Sequence, residues 1–205
     1  MAAVMEATRL RRTQLAIKRV IDAIMSLSIL LLGFPLLALI AALVELSSPG
    51  PVFFVQERIG KDEKTFRMIK FRTMTEAREG QQPASGSGAD EVRVTRVGRF
   101  LRDYGLDELP QAINILRGDM SIVGPRAPLP ERAKGYSERQ RRVFTMRPGL
   151  VSIAVYEGRR SIPMEQRIEL HVRYVETWSL CLDLKILLRS VPVVLLRRDA
   201  NEVPR

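Results

Sequence analysis

Two adjacent carboxylates are the clearest candidates for chemistry in this chain of 205 residues. Asp107 and Glu108 stand directly before Leu109-Pro110. Neighbouring residues on a helix point about 100° apart, so these two carboxylates cannot face each other as an acid–base pair. They could take separate roles, in which one attacks a substrate or binds a metal ion and the other positions a metal ion or a proton.

The residue that follows this pair predicts where it lies. Proline favours the first turn of a helix, so Pro110 places Asp107 near the N-terminus of a helix. The free N–H groups and the positive end of the helix dipole at that position bind anions, including phosphate. A simple N-cap role for Asp107, without any chemistry, is the alternative that the sequence leaves open.

Basic residues supply a second half of the candidate site. Gly124-Pro125-Arg126 is a loop whose backbone N–H groups and guanidinium could hold a phosphate, although a turn with an exposed arginine would read the same way. Further positive charges lie on neighbouring elements, each of which on its own also fits a solvated surface position: Lys70, Arg72, Arg99 and Arg102.

The sequence lacks the residues and motifs of several other kinds of site. The chain has one histidine, His171, and one cysteine, Cys181, which excludes a disulfide framework and metal sites built from several Cys or His residues. Any metal ion would therefore need oxygen ligands. The motifs GxGxxG, GxxxxGK[ST] and CxxC are absent, and His171 has no triad-like neighbours, so we interpret it as structural.

The charge balance predicts an anionic partner. The chain carries 33 Lys and Arg against 23 Asp and Glu, a net charge of +10. Nucleic acid, anionic lipid or a phosphorylated substrate would each satisfy it. A nucleic-acid-binding protein is disfavoured because the chain contains a long apolar segment and no base-reading module.

That apolar segment runs from residue 23 to 44 without a charge. It exceeds the roughly 18 residues that indicate a membrane helix. Arg9, Arg11, Arg12, Lys18 and Arg19 precede it, which places that end in the cytoplasm. Basic residues also follow closely behind the segment, so both flanks favour the same side of the membrane.

Gly33-Phe34-Pro35 near the middle of the segment offers a solution. Proline removes a backbone donor and kinks a helix, and a bent helix could enter the bilayer and return to the same face. A slightly kinked spanning helix and a buried core helix are the alternatives.

The rest of the sequence reads as a mixture of short strands and helices. Strands are predicted in VFFVQERIG, KTFRMIKFRTM and LVSIAVYEG, and a mobile loop from Glu79 to Asp90. Helices are predicted in VRVTRVGRFLRDYG, DELPQAINIL, ERAKGYSERQRRVFTM and MEQRIELHVRYVETW. The C-terminal LCLDLKILLRSVPVVLLRR fits either an interfacial helix anchored by Trp178 or an ordinary packed helix.

The ordered series of segments resembles the monotopic bacterial phosphoglycosyl transferases, which initiate glycoconjugate assembly by loading a phosphosugar onto polyprenyl phosphate. The match runs from about Lys18 to Arg197. It rests on KRVIDAIMSLSILLLGFPLLALIAAL, SPGPVFFVQERIG, KTFRMIKFRTM, LDELPQAINILRGDMSIVGPR, RPGL, EGR and YVETWSLCLDLKILLRSVPVVL. The stretch LDELPQ-x-N-x-L-x-GDMS-x-VGPR is long and highly specific.

The resemblance implies roles for particular residues. Asp107 would be the nucleophile that attacks the sugar-bearing phosphate of a UDP-sugar and releases UMP, Glu108 its partner, and Asp107 also a ligand of Mg²⁺. A covalent aspartyl-phosphosugar would then pass to polyprenyl (undecaprenyl) phosphate. Basic residues would bind the phosphates: Lys70, Arg102, Arg126, Arg147 and Arg159.

The same resemblance implies an architecture and a location. We expect a mixed, helix-rich α/β fold, with a basic N-terminus and re-entrant membrane helix in residues 1–47, kinked at Pro35. Residues 48–205 would form a cytosolic catalytic domain with interfacial amphipathic helices. The protein would lie at the cytoplasmic face of the bacterial inner membrane, with the lipid bilayer as a partner, no nucleic acid, and a homo-oligomer as a possible assembly.

Three departures from the family pattern stand out. Phe34 replaces the usual serine before the kink proline, GPRAP replaces GPRP, and RPGLVSIAVYEGR replaces RPG-I-TGWAQVNGR. The last change removes a Trp-Ala-Gln core and leaves Arg147 and Arg159. It motivates an alternative function, a catalytically altered, membrane-anchored interaction protein of the same fold.

Overall fold

The computed structural model describes residues 2–75, 93–154 and 162–195. The loop predicted from Glu79 to Asp90 and the candidate phosphate ligand Arg159 lie outside these residues. The described chain is a mixed α/β structure rich in helices, as the sequence predicts.

The N-terminal third is a bent pair of helices. Helix α1 spans Ala2–Leu32 and α2 spans Phe34–Ser47. Among the described residues no single helix is long and apolar enough to cross a bilayer. The pair formed from Leu10 onward has that length and composition, with a bend of 63°.

The bend lies at the predicted Gly33-Phe34-Pro35. Pro35 occupies the first turn of α2, where a missing N–H costs little. Gly33 closes the turn by donating to the carbonyl oxygen of Ile29 at 3.0 Å. A Cβ on Gly33 would lie 2.3 Å from that same oxygen, so a larger residue does not fit this turn. The predicted kink is confirmed.

A two-stranded antiparallel hairpin follows. Strand β1 is Phe53–Ile59, β2 is Thr65–Phe71, and a 3₁₀ turn at Lys61–Glu63 connects them. Arg58 pairs with Phe66, so it shares one face of the hairpin with Met68 and Lys70, which follow Phe66 at two-residue steps. Both strand predictions are confirmed.

The site segment comes next. Helix α3 (Arg96–Tyr104) ends at Gly105, which adopts a left-handed φ of 67°. A 3₁₀ turn, Leu106–Glu108, leads to helix α4, Gln111–Arg117. Strand β3 (Ser121–Val123) then pairs in parallel with β4, Gly149–Val151.

Two element predictions are corrected in this region. The segment predicted as one basic helix forms a short helix, α5 (Pro130–Lys134), and a 3₁₀ helix, Gln140–Thr145, because the chain leaves the helix at Gly135. The strand predicted in LVSIAVYEG ends at Val151, and the part beyond Ala154 lies outside the described residues.

Helices α6 (Met164–Thr177) and α7 (Leu180–Leu195) complete the described chain. The main core packs α6, α7, α4 and the β3–β4 pair around buried apolar residues that include Ile115, Val123, Tyr174 and Ile186. A second cluster joins α2 to the hairpin and α3 through Ile40, Val44, Phe71 and Leu101.

A buried polar network fixes α1 to this core. The Nζ atom of Lys18 lies 2.6 Å from Oδ2 of Asp183 and donates to the carbonyl oxygen of Val123 at 2.9 Å. Asp183 also accepts bonds from the Tyr174 hydroxyl at 2.6 Å and the Trp178 indole at 3.1 Å. Trp178 is 8% exposed, so the interpretation of this residue as a membrane anchor is wrong: its ring packs in the core.

Candidate active site

Asp107 and Glu108 lie in the 3₁₀ turn between α3 and α4, where a short turn presents two adjacent carboxylates in different directions. Pro110 is the N-cap of α4, and no side chain caps this helix. The N-cap interpretation of Asp107 is therefore wrong, and its carboxylate is left available for other contacts.

Glu108 forms an ion pair with Lys70 of β2. The side chains are 27% and 16% exposed respectively, so this pair is shielded from water on most sides. It ties the Leu106–Glu108 turn to the hairpin and holds the Lys70 ammonium beside the adjacent Asp107.

Asp107 is in a place that disfavours its charged form. Burial and the neighbouring charge of Glu108 raise the pKa of Asp107 to about 6, while Lys70 and Arg102 act in the opposite direction. The carboxylate is thus ionised at neutral pH but poorly solvated, which is typical of a nucleophile held in a partly desolvated site.

Arg102 approaches from α3. Its Nε donates to the hydroxyl of Thr73 at 2.8 Å, and the side chain is exposed. This bond uses one of the five N–H donors of the guanidinium. The structure thus brings the charges of Arg102 and Lys70 to bear on the same carboxylate, that of Asp107.

The Gly124-Pro125-Arg126 loop follows β3 and borders a cleft beside Glu108. A Cβ on Gly124 would lie 2.5 Å from the carbonyl oxygen of Arg147, so the two loops pack backbone against backbone. Gly149 donates to the carbonyl oxygen of Pro125 at 2.9 Å. These contacts fix the loop from which Arg126 extends, exposed, into a cleft that Lys70 and Glu108 also line.

Arg147 contacts a different part of the structure from Arg126. Its Nε donates to the carbonyl oxygen of Gly118 at 2.7 Å, at the C-terminal end of α4. Arg147 does not line the cleft, so the structure places it as a support for α4 and not beside the other predicted phosphate ligands.

Two residues of the cleft were missed by the sequence analysis. Arg58 of β1 and Gln111 at the start of α4 line it together with Lys70, Glu108 and Arg126. Arg58 carried little signal, because Gln56, Glu57 and Arg58 are three consecutive polar residues and show no alternation along the strand. Gln111 carried no separable signal, since it reads as one more residue of the LDELPQ stretch.

A metal ion could draw only part of its ligands from this site. In the part of the chain that the structure describes, no three His, Cys, Asp or Glu side chains come together as a metal site. Mg²⁺ is commonly held by one or two carboxylates together with substrate phosphates and water. One carboxylate, Asp107, beside cations that would hold phosphates fits that kind of site.

His171 lies apart from the carboxylates, on α6. It is 6% exposed, and burial with the charges of Arg126 and Arg167 lowers its pKa to about 4. A neutral, buried imidazole agrees with the interpretation of His171 as a structural residue.

Comparison with known proteins adds a family assignment to this geometry. The family described as bacterial sugar transferase matches residues 13–197. An uncharacterized sugar transferase, EpsL, of Bacillus subtilis (strain 168) is 40% identical over 186 residues, which are 91% of each chain.

Two further relatives have more informative names. The UDP-glucose:undecaprenyl-phosphate glucose-1-phosphate transferase of Caulobacter vibrioides is 42% identical over 191 residues, covering 89% of this chain and 71% of the relative. The exopolysaccharide production protein ExoY of Sinorhizobium fredii is 36% identical over 197 residues, covering 89% and 87%.

Proposed function

Because the chain belongs to the bacterial sugar transferase family and is a phosphoglycosyl transferase, we propose that it transfers a sugar phosphate from a UDP-sugar to undecaprenyl phosphate. The proposed route is an intermediate on Asp107. The donor and acceptor classes come from the name of the Caulobacter relative. The route through Asp107 is supported by the placement of this carboxylate among Glu108, Lys70 and Arg102.

In the first step the carboxylate of Asp107 attacks the sugar-bearing phosphorus. The bond from this phosphorus to the bridging oxygen breaks, and UMP leaves with the electron pair. The product on the enzyme is a mixed anhydride between Asp107 and the sugar phosphate. An ionised carboxylate is needed, and a pKa of about 6 leaves Asp107 ionised at neutral pH.

In the second step a phosphate oxygen of undecaprenyl phosphate attacks the same phosphorus. The bond from phosphorus to Asp107 breaks, which restores the carboxylate and gives undecaprenyl diphosphate sugar. Splitting the transfer in this way means that the two anionic substrates need not occupy the site together.

Repulsion between anions is the main physical obstacle to the first step. A diphosphate that approaches Asp107 is repelled by the negative charges of both Asp107 and Glu108. Lys70 and Arg102 offset this charge, and the ion pair with Glu108 keeps Lys70 in place. We propose that a bound Mg²⁺ would supply the remaining neutralisation, and that Asp107 would be the protein residue that holds it.

We further propose that the α1–α2 pair enters the bilayer and returns to the cytoplasmic face of the bacterial inner membrane. The bend of 63° and the exposed apolar residues around it support this: Leu31, Leu32, Phe34 and Leu39 are 57–84% exposed. The site would then lie beside the lipid headgroups, where undecaprenyl phosphate presents its own phosphate. On this view residues 48–205 form the catalytic domain.

The placement of Asp107 carries the proposal, and intact mass spectrometry tests it. We expect the protein, incubated with UDP-glucose and Mg²⁺ without acceptor, to gain the mass of a hexose phosphate less water and to release UMP. Digestion would locate the adduct on Asp107, and Asp107→Asn would lack it. An equal adduct on the Asp107→Asn protein would contradict the assignment of the nucleophile.

A further inference from the structure

The cleft beside the Leu106–Glu108 turn is lined by an arginine, Arg58, to which the proposed reaction at Asp107 gives no role. Arg58 extends from β1 and donates to two neutral oxygens, the carbonyl of Ala127 at 3.2 Å and the side chain of Gln56 at 2.7 Å. Its Nε is buried and finds no hydrogen-bond partner among the described residues. Arg58 is therefore held in place without a carboxylate of its own.

The charges that act on Arg58 make the cleft electropositive. Burial and the guanidinium groups of Arg126 and Arg132 lower the pKa of Arg58 to about 10, and Glu108 is the carboxylate that opposes them. Glu108 is already paired with Lys70. Arg58 thus lies near two other guanidinium groups, and the carboxylate that acts on it is already paired, so an anion in the cleft would relieve the repulsion at Arg58.

A buried donor lines the same cleft. Gln111 is 2% exposed, and its side-chain nitrogen has no hydrogen-bond partner in the described chain. Buried amide groups are nearly always bonded, so this donor is available to an acceptor that enters the cleft. Phosphate oxygens are such acceptors, and arginines recognise the same group.

Glu108 and Lys70 line the cleft, whereas Asp107, the residue that precedes Glu108 in the chain, does not. The cations that act most strongly on Asp107 are Lys70 and Arg102, whereas those that act on Arg58 are Arg126 and Arg132. The carboxylate of Glu108 acts on both Asp107 and Arg58. A ligand with two linked phosphates could therefore place one at each set of cations.

In-line displacement at phosphorus requires the leaving oxygen to lie opposite the attacking one. With Asp107 on one side of the transferred phosphorus, the departing phosphate must lie on the other. We infer that Arg58, Gln111 and Arg126 form the subsite for the departing nucleoside monophosphate, with Arg58 and Gln111 binding its phosphate. This assignment rests on the proposed function and adds to it a position for the leaving group.

Direct binding of UMP to the full chain, reconstituted in detergent micelles or nanodiscs, tests the assignment without any turnover. The variants are Arg58→Gln, which removes a charge, and Gln111→Met, which removes the amide donor at similar volume. The matched control is Arg67→Gln, because Arg67 is an exposed arginine of the same hairpin that lies on the face opposite Arg58.

We expect each cleft variant to weaken UMP binding by about tenfold or more, since each removes a hydrogen bond to a charged group. Arg67→Gln should leave UMP binding unchanged, and a short-chain prenyl phosphate should bind all variants equally well. If Arg58→Gln does not fold, as judged by its thermal unfolding, Gln111→Met decides the result.

Two outcomes would overturn the assignment. The first is unchanged UMP binding in Gln111→Met and in a folded Arg58→Gln protein. The second is weakened binding of the prenyl phosphate, alone or to the same degree as UMP, which would assign the cleft to the acceptor or to anions in general. Because UMP binding needs no covalent step, a failure of this inference stays distinct from a failure of the adduct experiment on Asp107.

Discussion

Asp107, the proposed nucleophile, combines two requirements that oppose each other. A nucleophile must be ionised, yet burial and the neighbouring Glu108 raise its pKa to about 6. The charged form is thus less stable in the folded protein than in water, which leaves it more reactive toward phosphorus. Active sites commonly hold such groups at some expense of stability.

This expense can be measured through its pH dependence. Asp107 titrates at about 6 when folded and near 3.9 when unfolded. Between these values the folded state holds more protons, so its stability falls as the pH rises from 4 to 6 and changes no further above 6.

Asp107→Asn removes this titration and should raise the melting temperature at pH 7.5. We expect a gain on the order of 2–4 °C, discounted for partial exposure of the group. The gain should shrink as the pH falls and vanish near pH 4. Asp62→Asn, at an exposed carboxylate of the hairpin turn, is the control and should show no such trend. A gain for Asp107→Asn that is independent of pH would contradict this account.

Some residues of the candidate site can be predicted from the sequence, and others cannot. Asp107, Glu108 and Lys70 were identified by their types and motif, and the structure brings them together. Arg58 and Gln111 were missed because their role follows from burial next to Arg126, which only the packing of β1 against the Ala127–Pro128 segment produces. Unpaired donors are a property of the assembled cleft and leave no trace in spacing.

At the scale of elements, local patterns predicted what local forces determine. The hairpin strands follow from β-branched and aromatic residues, and α4 ends at Gly118, whose left-handed φ of 94° is typical of a helix C-terminus. The basic segment after Pro130 was predicted as a single helix and breaks at Gly135, where a helix of only five residues ends. β4 is three residues long because its length depends on its pairing with β3 rather than on its own composition.

The attachment of α1 to the core is a second property that the sequence concealed. Lys18 and Asp22 are charged residues of α1 just before the apolar segment, and both are buried. Asp22 accepts a bond from the backbone of Ile122 at 2.9 Å, and Lys18 reaches Asp183. These contacts hold α1 against β3, the strand that leads into the loop carrying Arg126.

Removal of one member of this buried pair should be costly. Lys18→Met leaves Asp183 in the core without its cation, and we expect a loss of roughly 3 kcal/mol in the free energy of unfolding. Lys61→Met is the matched control, because Lys61 pairs with Asp62 at 3.4 Å on the surface, and we expect a change of about 0–1 kcal/mol. Thermal unfolding in one detergent compares the two. Equal effects of both substitutions would show that the buried pair contributes no more to the free energy of unfolding than the surface pair.

At the scale of the whole molecule, most of the exposed large apolar side chains among the described residues lie in the bent helix pair, with smaller groups on β1 and on one side of α7. Leu32 is 84% and Leu46 is 85% exposed, and Leu184 and Leu188 of α7 are 59% and 63% exposed. Soluble monomers seldom expose so many large apolar side chains in contiguous patches. Lys185 and Arg189 stand among the apolar residues of α7, the pattern of a helix that lies in a membrane interface.

A re-entrant pair and a spanning helix differ in where the two flanks of the segment lie. If the α1–α2 pair returns to the cytoplasmic face, Arg12 and Lys61 lie on the same side of the membrane. The chain has one cysteine, Cys181, which is exposed. In a Cys181→Ser background, Arg12→Cys and Lys61→Cys therefore provide two single labelling sites, both at exposed positions.

We expect a membrane-impermeant maleimide to label both cysteines in inverted inner-membrane vesicles and neither of them in intact spheroplasts, because both flanks carry basic residues that favour the cytoplasm. Labelling of both after detergent solubilisation controls for accessibility. Labelling of Lys61→Cys, but not of Arg12→Cys, in spheroplasts would mean that the pair crosses the bilayer. The Leu106–Glu108 turn is joined to the hairpin through Lys70 and Glu108, so it would then lie on the periplasmic side of the membrane. UDP-sugar is cytoplasmic, and the proposed reaction could not proceed there.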